Sequence, residues 1–250
     1  MNPLVPILND IGLMARPALF NLYFAGAAIP IGFILAIFVA LGKNSSNVLI
    51  NRLSRVYIYF FRGSPFFIQL FAFYSLALAF NLSVWKPLGI DGVILHPLFM
   101  GPAILGLNTT AYTAEIFYGA LLTVPRGEIE AARAYGMSRR QRFWSVTWPN
   151  LIRLAWPAYT NEVVFLFQAT ALVYFTLPVI GDQRDLMNMA GALFQKDYDV
   201  FLHFGVAALY FLVISLAIFY LFGLIYRRLM RHMPQEQKIK FSWRRVQGLS

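Results

Sequence analysis

Five apolar stretches constrain this chain more than any other feature. They run approximately from Pro17 to Gly42, Arg62 to Leu82, Phe99 to Leu122, Pro157 to Gly181 and Phe201 to Tyr226. Each is long enough to cross a hydrocarbon core, which takes roughly 20 residues in a helix. Charged residues make up 13% of the 250 residues, hydrophobic ones 59%, and mean hydropathy is +0.60. A soluble domain carries about 25% charged residues, so an apolar excess of this size calls for a lipid cover. The expectation is an all-α membrane protein with five transmembrane helices, forming a single domain over residues 1–250.

The charge of +10 raises nucleic acid as a partner, but its distribution argues for a membrane instead. One set of connections holds Lys43, Arg52, Arg55, Arg62, Arg126, Arg133, Arg139, Arg140, Arg142 and Arg153, with seven more basic residues after Tyr226. The opposite set holds Arg16, Lys86, Arg184 and Lys196, together with Asp10, Asp91, Asp182, Asp185, Asp197 and Asp199. Basic residues stay in the cytoplasm, which places the N-terminus outside and the C-terminus inside. An odd number of spans agrees. The basic tail from Arg227 to Arg245 reads as an orientation signal lying against anionic lipid, and nucleic-acid binding is not expected. With no cysteine there is no disulfide, thiol catalysis or cysteine-ligated metal. The opening MNPLVPILND lacks the basic region of a cleavable signal, so the helices themselves are expected to direct insertion.

Between the first two spans, Ile50, Leu53, Val56, Tyr57, Phe60 and Phe61 recur at helical spacing, alternating with Arg52 and Arg55. That pattern predicts a short helix in the cytoplasmic interface. The following Phe61-Arg62-Gly63-Ser64-Pro65 reads as a break: Ser64 to cap the next helix, Pro65 to open it, and Arg62 to snorkel to headgroups. A second cytoplasmic connection, about 124–155, has its own design. After Pro125-Arg126-Gly127, Glu128 and Glu130 are expected in the first turn of a helix, where negative charge suits the dipole. Ala131, Ala132 and Ala134 keep its surface small. Gly136 lets the chain bend, and Ser138 can cap a further helix starting at Arg139. Met137, Phe143, Val146 and Trp148 would make this element a rigid peg. On the residues alone, an amphipathic helix on the membrane surface, with its arginines on phosphate headgroups, is the favoured reading.

The stretch EAARAYGMSRRQRFWSVTWP resembles the EAA loop of the membrane subunits of bacterial ABC importers. Glu130, Ala131, Ala132 and Gly136 stand in the motif's order, followed by Val146, Trp148 and Pro149. FRGSPFFIQL resembles the FRGTP-x-x-x-Q segment of polar-amino-acid permeases, with Ser64 in place of threonine. Together with AYTAEIFYGALLTVPRGEIEAARAYGMS and PAYTNEVVFLFQATAL, the resemblance to histidine/lysine/arginine or opine permeases covers nearly the whole chain. Val146 and Trp148 depart from the family's usual isoleucine and leucine, yet stay apolar. The resemblance implies a type I importer transmembrane domain in the bacterial inner membrane. It also implies a homologous second permease, two ATPase subunits and a periplasmic substrate-binding protein as partners. Glu130, Ala131, Ala132, Gly136 and Arg139 would couple to the ATPase, where ATP and Mg would bind; no cofactor is expected on this chain.

Of eleven Asp and Glu residues, Glu115 and Glu162 fall inside predicted spans. A carboxylate in hydrocarbon costs a few kcal/mol, so each should face a partner or a wet cavity. Glu162 stands beside Asn161, with Gln168 expected on nearly the same face. A negative group there suits a guanidinium, imidazolium or ammonium substrate; the structural alternative is a protonated Glu162, or one paired with a basic residue of the partner permease. Some arginine-transporting relatives carry a second acid seven positions later; here that position is Ala169. Glu115 has polar neighbours in Asn108, Thr109, Thr110 and Tyr112, and reads equally as structural or as part of the pathway. Enzyme motifs for metal hydrolysis, serine chemistry or nucleotide binding are absent from the sequence, and His96, His203 and His232 are scattered. The function that the resemblance implies is ATP-driven, binding-protein-dependent import of basic amino acids or opines. An ion-gradient-driven carrier is the alternative, though five spans do not divide into two repeats.

Overall fold

A computed structural model describes residues 4–179, 181 and 183–231. Among them all regular structure is helical: α1 (Leu4–Lys43), α2 (Val48–Gly63), α3 (Phe66–Ala79), α4 (Asp91–Ile94), α5 (Pro97–Thr123), α6 (Arg126–Ala134), α7 (Arg139–Arg142), α8 (Trp148–Ala169), α9 (Leu186–Asp197) and α10 (Val200–Leu229). Helices satisfy their own backbone groups, the condition that a lipid environment imposes. Asp182, His232 and the tail beyond Arg231 lie outside the described residues.

The central pair is α1 against α5. Ala28, Gly32, Ala36 and Ala40 recur every four residues and form one ridge of small side chains on α1. The three alanines are buried completely or nearly so. A Cβ on Gly32 would stand 2.3 Å from the Thr109 methyl and 3.3 Å from the Gly106 carbonyl. The two backbones can approach this closely because position 32 is glycine, whereas a Cβ at Gly106 would meet nothing nearer than 3.7 Å, and dispersion then holds them together where lipid offers no hydrophobic drive. Around this contact Phe117, Leu151 and Ala155 fill the half near Lys43, and Phe24, Leu70, Ile104 and Leu166 fill the middle.

The first helix extends well beyond its predicted start at Pro17. It runs for 40 residues with Pro17 and Pro30 inside it. At 1.5 Å per residue that is about 60 Å, twice a hydrocarbon core of about 30 Å. Its added N-terminal turns are held by Met14 and Ala18 packing on Leu186, Ala190 and Leu193 of α9 and on Val206 and Ala207 of α10. Asp10, which made this stretch look like a loop, is buried against His203 at 2.5 Å, and the other ring nitrogen of His203 faces Asp197 at 2.7 Å. Both ring nitrogens can donate together only in the doubly protonated form. Asn21 supplies a second pin: its amide donates to Thr170 Oγ1 and its carbonyl accepts from the Leu186 backbone.

Hydropathy alone does not recover five spans. Val5–Lys43 and Val200–Leu229 are long and apolar enough to cross, and α2 with α3 forms a third candidate only as a pair bent by 108°. The expected interfacial helix is α2, the expected break falls at Ser64-Pro65, and the second span begins after it as α3 at Phe66 rather than at Arg62. The fourth starts at Trp148 rather than Pro157 and ends at Ala169, followed by a tight 3₁₀ stretch over Thr170–Phe175. α5 and α8 have the length, at 27 and 22 residues, but α5 carries Thr109, Thr110 and Thr113 on buried surface. A helix sheathed by other helices has no need of uniform lipid-compatible apolarity.

Candidate functional site

The break between α2 and α3 is stitched by one residue. Gln69 is 3% exposed, and its amide lies 2.7 Å from the Phe61 carbonyl and 2.9 Å from both the Ser64 carbonyl and its hydroxyl. Its carbonyl accepts from Asn108 Nδ2 at 2.8 Å. The spacing of FRGSP-x-x-x-Q therefore has a mechanical reason: one helical turn after Pro65, a glutamine reaches back to satisfy carbonyls freed by the bend. Ser64 does not cap α3. Its hydroxyl donates to the Phe60 carbonyl at 2.8 Å, and Pro65 stands at the cap position itself.

Asn108, Tyr112 and Glu115 lie at i, i+4 and i+7 on α5, hence on one face. Two cavities open along it. The first, about 370 Å³, is lined by Asn108, Tyr112, Asn161 and Glu162 with Phe66, Ile116, Ala158, Phe165, Leu166 and Ala169. Glu162 accepts a hydrogen bond from Thr109 Oγ1 at 2.9 Å. The second, about 510 Å³, is lined by Lys43, Arg55, Ile58, Tyr59, Arg62, Gly63, Tyr112 and Glu115. Tyr112 is common to both.

The structure thus gathers four of the six predicted pathway residues, Asn108, Tyr112, Asn161 and Glu162, around one cavity. It sets Glu115 apart. Glu115 meets Lys43 at 2.5 Å and Arg62 at 3.9 Å, with the Lys43 side chain 10% exposed. Arg62 is accordingly drawn to Glu115 and to the Tyr112 ring, 5.3 Å from its centroid, where the sequence had suggested headgroups. Gln168 is a correction. Six helical residues turn the chain about 600°, leaving Gln168 about 120° from Glu162, and its amide points to Ser215 of α10 at 3.5 Å. Seven residues restore the face, so Ala169 lines the cavity. Lys43 and Phe66 were not read as site residues, and Thr109 only as a polar neighbour of Glu115, because their roles depend on partners distant along the chain.

The 124–155 segment projects from the same end of the bundle as Lys43. In α6, Glu128 is in the first turn, where it accepts a hydrogen bond from Asn150 at the start of α8; Glu130 lies two residues further on, just past the first turn where it was expected. Ala132 is also corrected: it is 4% exposed and faces inward, while Glu130, Ala131, Ala134, Tyr135, Gly136 and Arg139 are exposed. The helix ends in a Schellman motif, with Gly136 N–H on the Arg133 carbonyl at 2.9 Å and Met137 N–H on the Ala132 carbonyl at 3.1 Å. Gly136 takes φ +73°, the left-handed conformation that this motif requires. Ser138 and Gln141 then form a reciprocal capping box that starts α7. Phe143, Trp144 and Trp148 stack edge to face and tilted at 5.2 to 6.2 Å around a widened turn over Phe143–Thr147. The bend at Gly136 and the cap at Ser138 are both as the sequence led one to expect.

The three histidines separate by role. His203 is the buried bridge between Asp10 and Asp197, His96 accepts from the Leu98 backbone N–H at the start of α5, and His232 lies outside the described residues. Groups of three or more His, Asp or Glu residues fit to hold a metal ion are absent among the described residues.

Comparison with known proteins agrees with this architecture. The permease protein HisM of the histidine/lysine/arginine/ornithine transport system of Escherichia coli K12 is 36% identical over 230 residues, covering 91% of this chain and 93% of HisM. The octopine transport system permease OccM of Rhizobium radiobacter is 31% identical over 88% of this chain and 84% of its own. A crystal structure of an amino acid ABC transporter with histidines superposes at TM-score 0.67 and 27% identity, over 84% of this chain and 91% of that one. An inward-facing methionine ABC transporter, MetNI, shares the fold at TM-score 0.66 and 19% identity. Residues 28–233 match the family of binding-protein-dependent transport system inner membrane components, and the chain is a member of that family.

Proposed function

We propose that this chain is one permease subunit of an ATP-driven importer for basic amino acids or opines, acting as a single transmembrane unit with five spans. The observation that carries the substrate class is the Glu162 cavity: one carboxylate, two amides and a phenol in otherwise apolar walls of about 370 Å³. A cavity of that size suits a small ligand with few fixed polar contacts. Its one charge is negative, which selects for an ammonium, imidazolium or guanidinium group. Relatives named for histidine, lysine, arginine, ornithine and octopine support the same class.

In this reading the N-terminus is periplasmic and the C-terminus cytoplasmic. The chain pairs with a homologous permease, two ATPase subunits hold ATP and Mg, and a periplasmic binding protein delivers substrate. This chain binds no cofactor and catalyses no reaction. The exposed tip of α6, from Glu130 to Gly136 with Arg139 beyond it, docks on the ATPase. Ala132 and the Glu128–Asn150 contact tie that tip back to the bundle, so movement of the tip is transmitted to α8, which carries Glu162. ATP closure turns the Glu162 cavity outward to receive substrate, and hydrolysis returns it to the cytoplasm. Pumping requires that ATP and the binding protein each discriminate between the two states.

The test is ATP hydrolysis by the complex purified from its native membrane in mild detergent, with and without arginine-loaded binding protein. Stimulation by the loaded binding protein is expected, and Gly136→Pro or Glu130→Lys should keep hydrolysis but abolish transport. Absence of any co-purifying ATPase with a folded permease would contradict the coupling role.

A further inference from the structure

We propose that Arg62 is a specificity-determining residue of this permease and receives the carboxylate of the substrate whose cation rests on Glu162. The inference rests on the reading of the Glu162 cavity as the substrate station. An amino acid or opine brings a carboxylate as well as a cation, and burying that carboxylate without a partner is costly. The residues lining the Glu162 cavity include no Lys or Arg. Arg62 stands next to it: its guanidinium lies 5.3 Å from the ring centroid of Tyr112, the residue shared with the neighbouring cavity.

Two features leave this arginine receptive. Its contact with Glu115 is 3.9 Å, the outer limit of an ion pair, while Lys43 holds the same carboxylate oxygen at 2.5 Å. Glu115 is therefore satisfied without it. The Arg62 side chain is 41% exposed, so its planar fork can turn to a carboxylate and grip both oxygens. The two charged groups are anchored on α5 within one helical turn of each other. Thr109, which holds Glu162, and Tyr112, which carries Arg62, are three residues apart, about 4.5 Å of helical rise. A ligand with a cation at one end and a carboxylate at the other can span from one to the other.

The experiment is direct binding of arginine and of agmatine, which is arginine without its carboxylate, to the solubilised permease–ATPase complex lacking the binding protein. The unmodified complex should prefer arginine. Arg62→Gln should cost arginine about tenfold or more, the loss of one charge-assisted pair, leave agmatine unchanged, and so erase the preference. Arg62→Lys should restore part of it. Equal loss of both ligands, or unchanged arginine affinity, would overturn the proposal and leave the Glu162 reading intact. The Glu162 reading has its own signature: Glu162→Gln should weaken arginine and agmatine alike. If the intact complex binds neither ligand, both fall together.

Discussion

Glu115 and Glu162 are the two acidic residues that the sequence places in apolar spans, and the fold gives them opposite surroundings, an ion pair on α5 for one and an open cavity beside α8 for the other. Glu115 is claimed by the protein: Lys43 at 2.5 Å and Arg62 at 3.9 Å surround it. Glu162 has one hydroxyl, Thr109 Oγ1, and a cavity. An acid whose charge is already answered within the chain serves structure. An acid left facing open space among apolar walls is poised for a ligand. Helical position alone would have ranked them equally, and the partners supplied by α1 and α2 separate them.

That contrast can be sharpened by removing what each acid contacts. The largest structural effect is expected at Glu115→Gln, which leaves Lys43 without its carboxylate. Breaking a buried pair costs about 3–5 kcal/mol, and partial exposure of Glu115 reduces this to about 2 kcal/mol. Thermal denaturation in detergent should show the loss, and Lys43→Met added to Glu115→Gln should recover most of it as the charges leave together. Failure of the pair to compensate would mean that Glu115 acts elsewhere. Gln69→Leu comes next, at about 1–3 kcal/mol for the carbonyls of Phe61 and Ser64 left unsatisfied. Because Gln69 also holds Asn108 in the Glu162 cavity, substrate affinity should fall with stability, unlike at Glu115.

A smaller effect is expected at Gly136→Ala. No atom stands within 4 Å of the added Cβ, so the cost is the left-handed backbone alone, about 1–2 kcal/mol. Transport per ATP hydrolysed should drop more than folding stability does. The smallest effect concerns the far end of the bundle. The hydrogen bond with His203 holds the Asp197 carboxyl below its usual value of 3.8. A depressed acid stabilises the fold above its unfolded value and loses that contribution as pH falls through the folded one. Stability measured below about pH 4 should therefore decline less steeply in Asp197→Asn than in the parent.

How much of this could be read from the chain depended on the range of the interaction. The α2 helix, the left-handed stop at Gly136 and the Ser138 cap are local, and residue types within a few positions specify them. The paired carboxylates were visible as candidates because charge in an apolar run has few explanations. What decided between them was not local: Lys43 lies 72 residues from Glu115, and Asp10 lies 193 from His203. The long N-terminal helix stayed hidden because Asp10 and Arg16 suggest solvent until the buried histidine is in view. The α2–α3 break was legible because the arginines of α2 give way to the apolar run of α3 across Gly63, Ser64 and Pro65. The small-residue ridge Ala28, Gly32, Ala36, Ala40 was present in the letters, yet its meaning required the crossing with Gly106 on α5.

The most direct measurement is arginine binding to the solubilised permease–ATPase complex carrying either Glu162→Gln or Glu115→Gln, compared at equal folded concentration. The Glu162→Gln complex should lose affinity by about tenfold or more, the value of one charged hydrogen-bonded contact. The Glu115→Gln complex should bind as the parent does despite its lower thermal stability. Equal losses in both, or a loss confined to Glu115→Gln, would contradict the division of labour between the two acids.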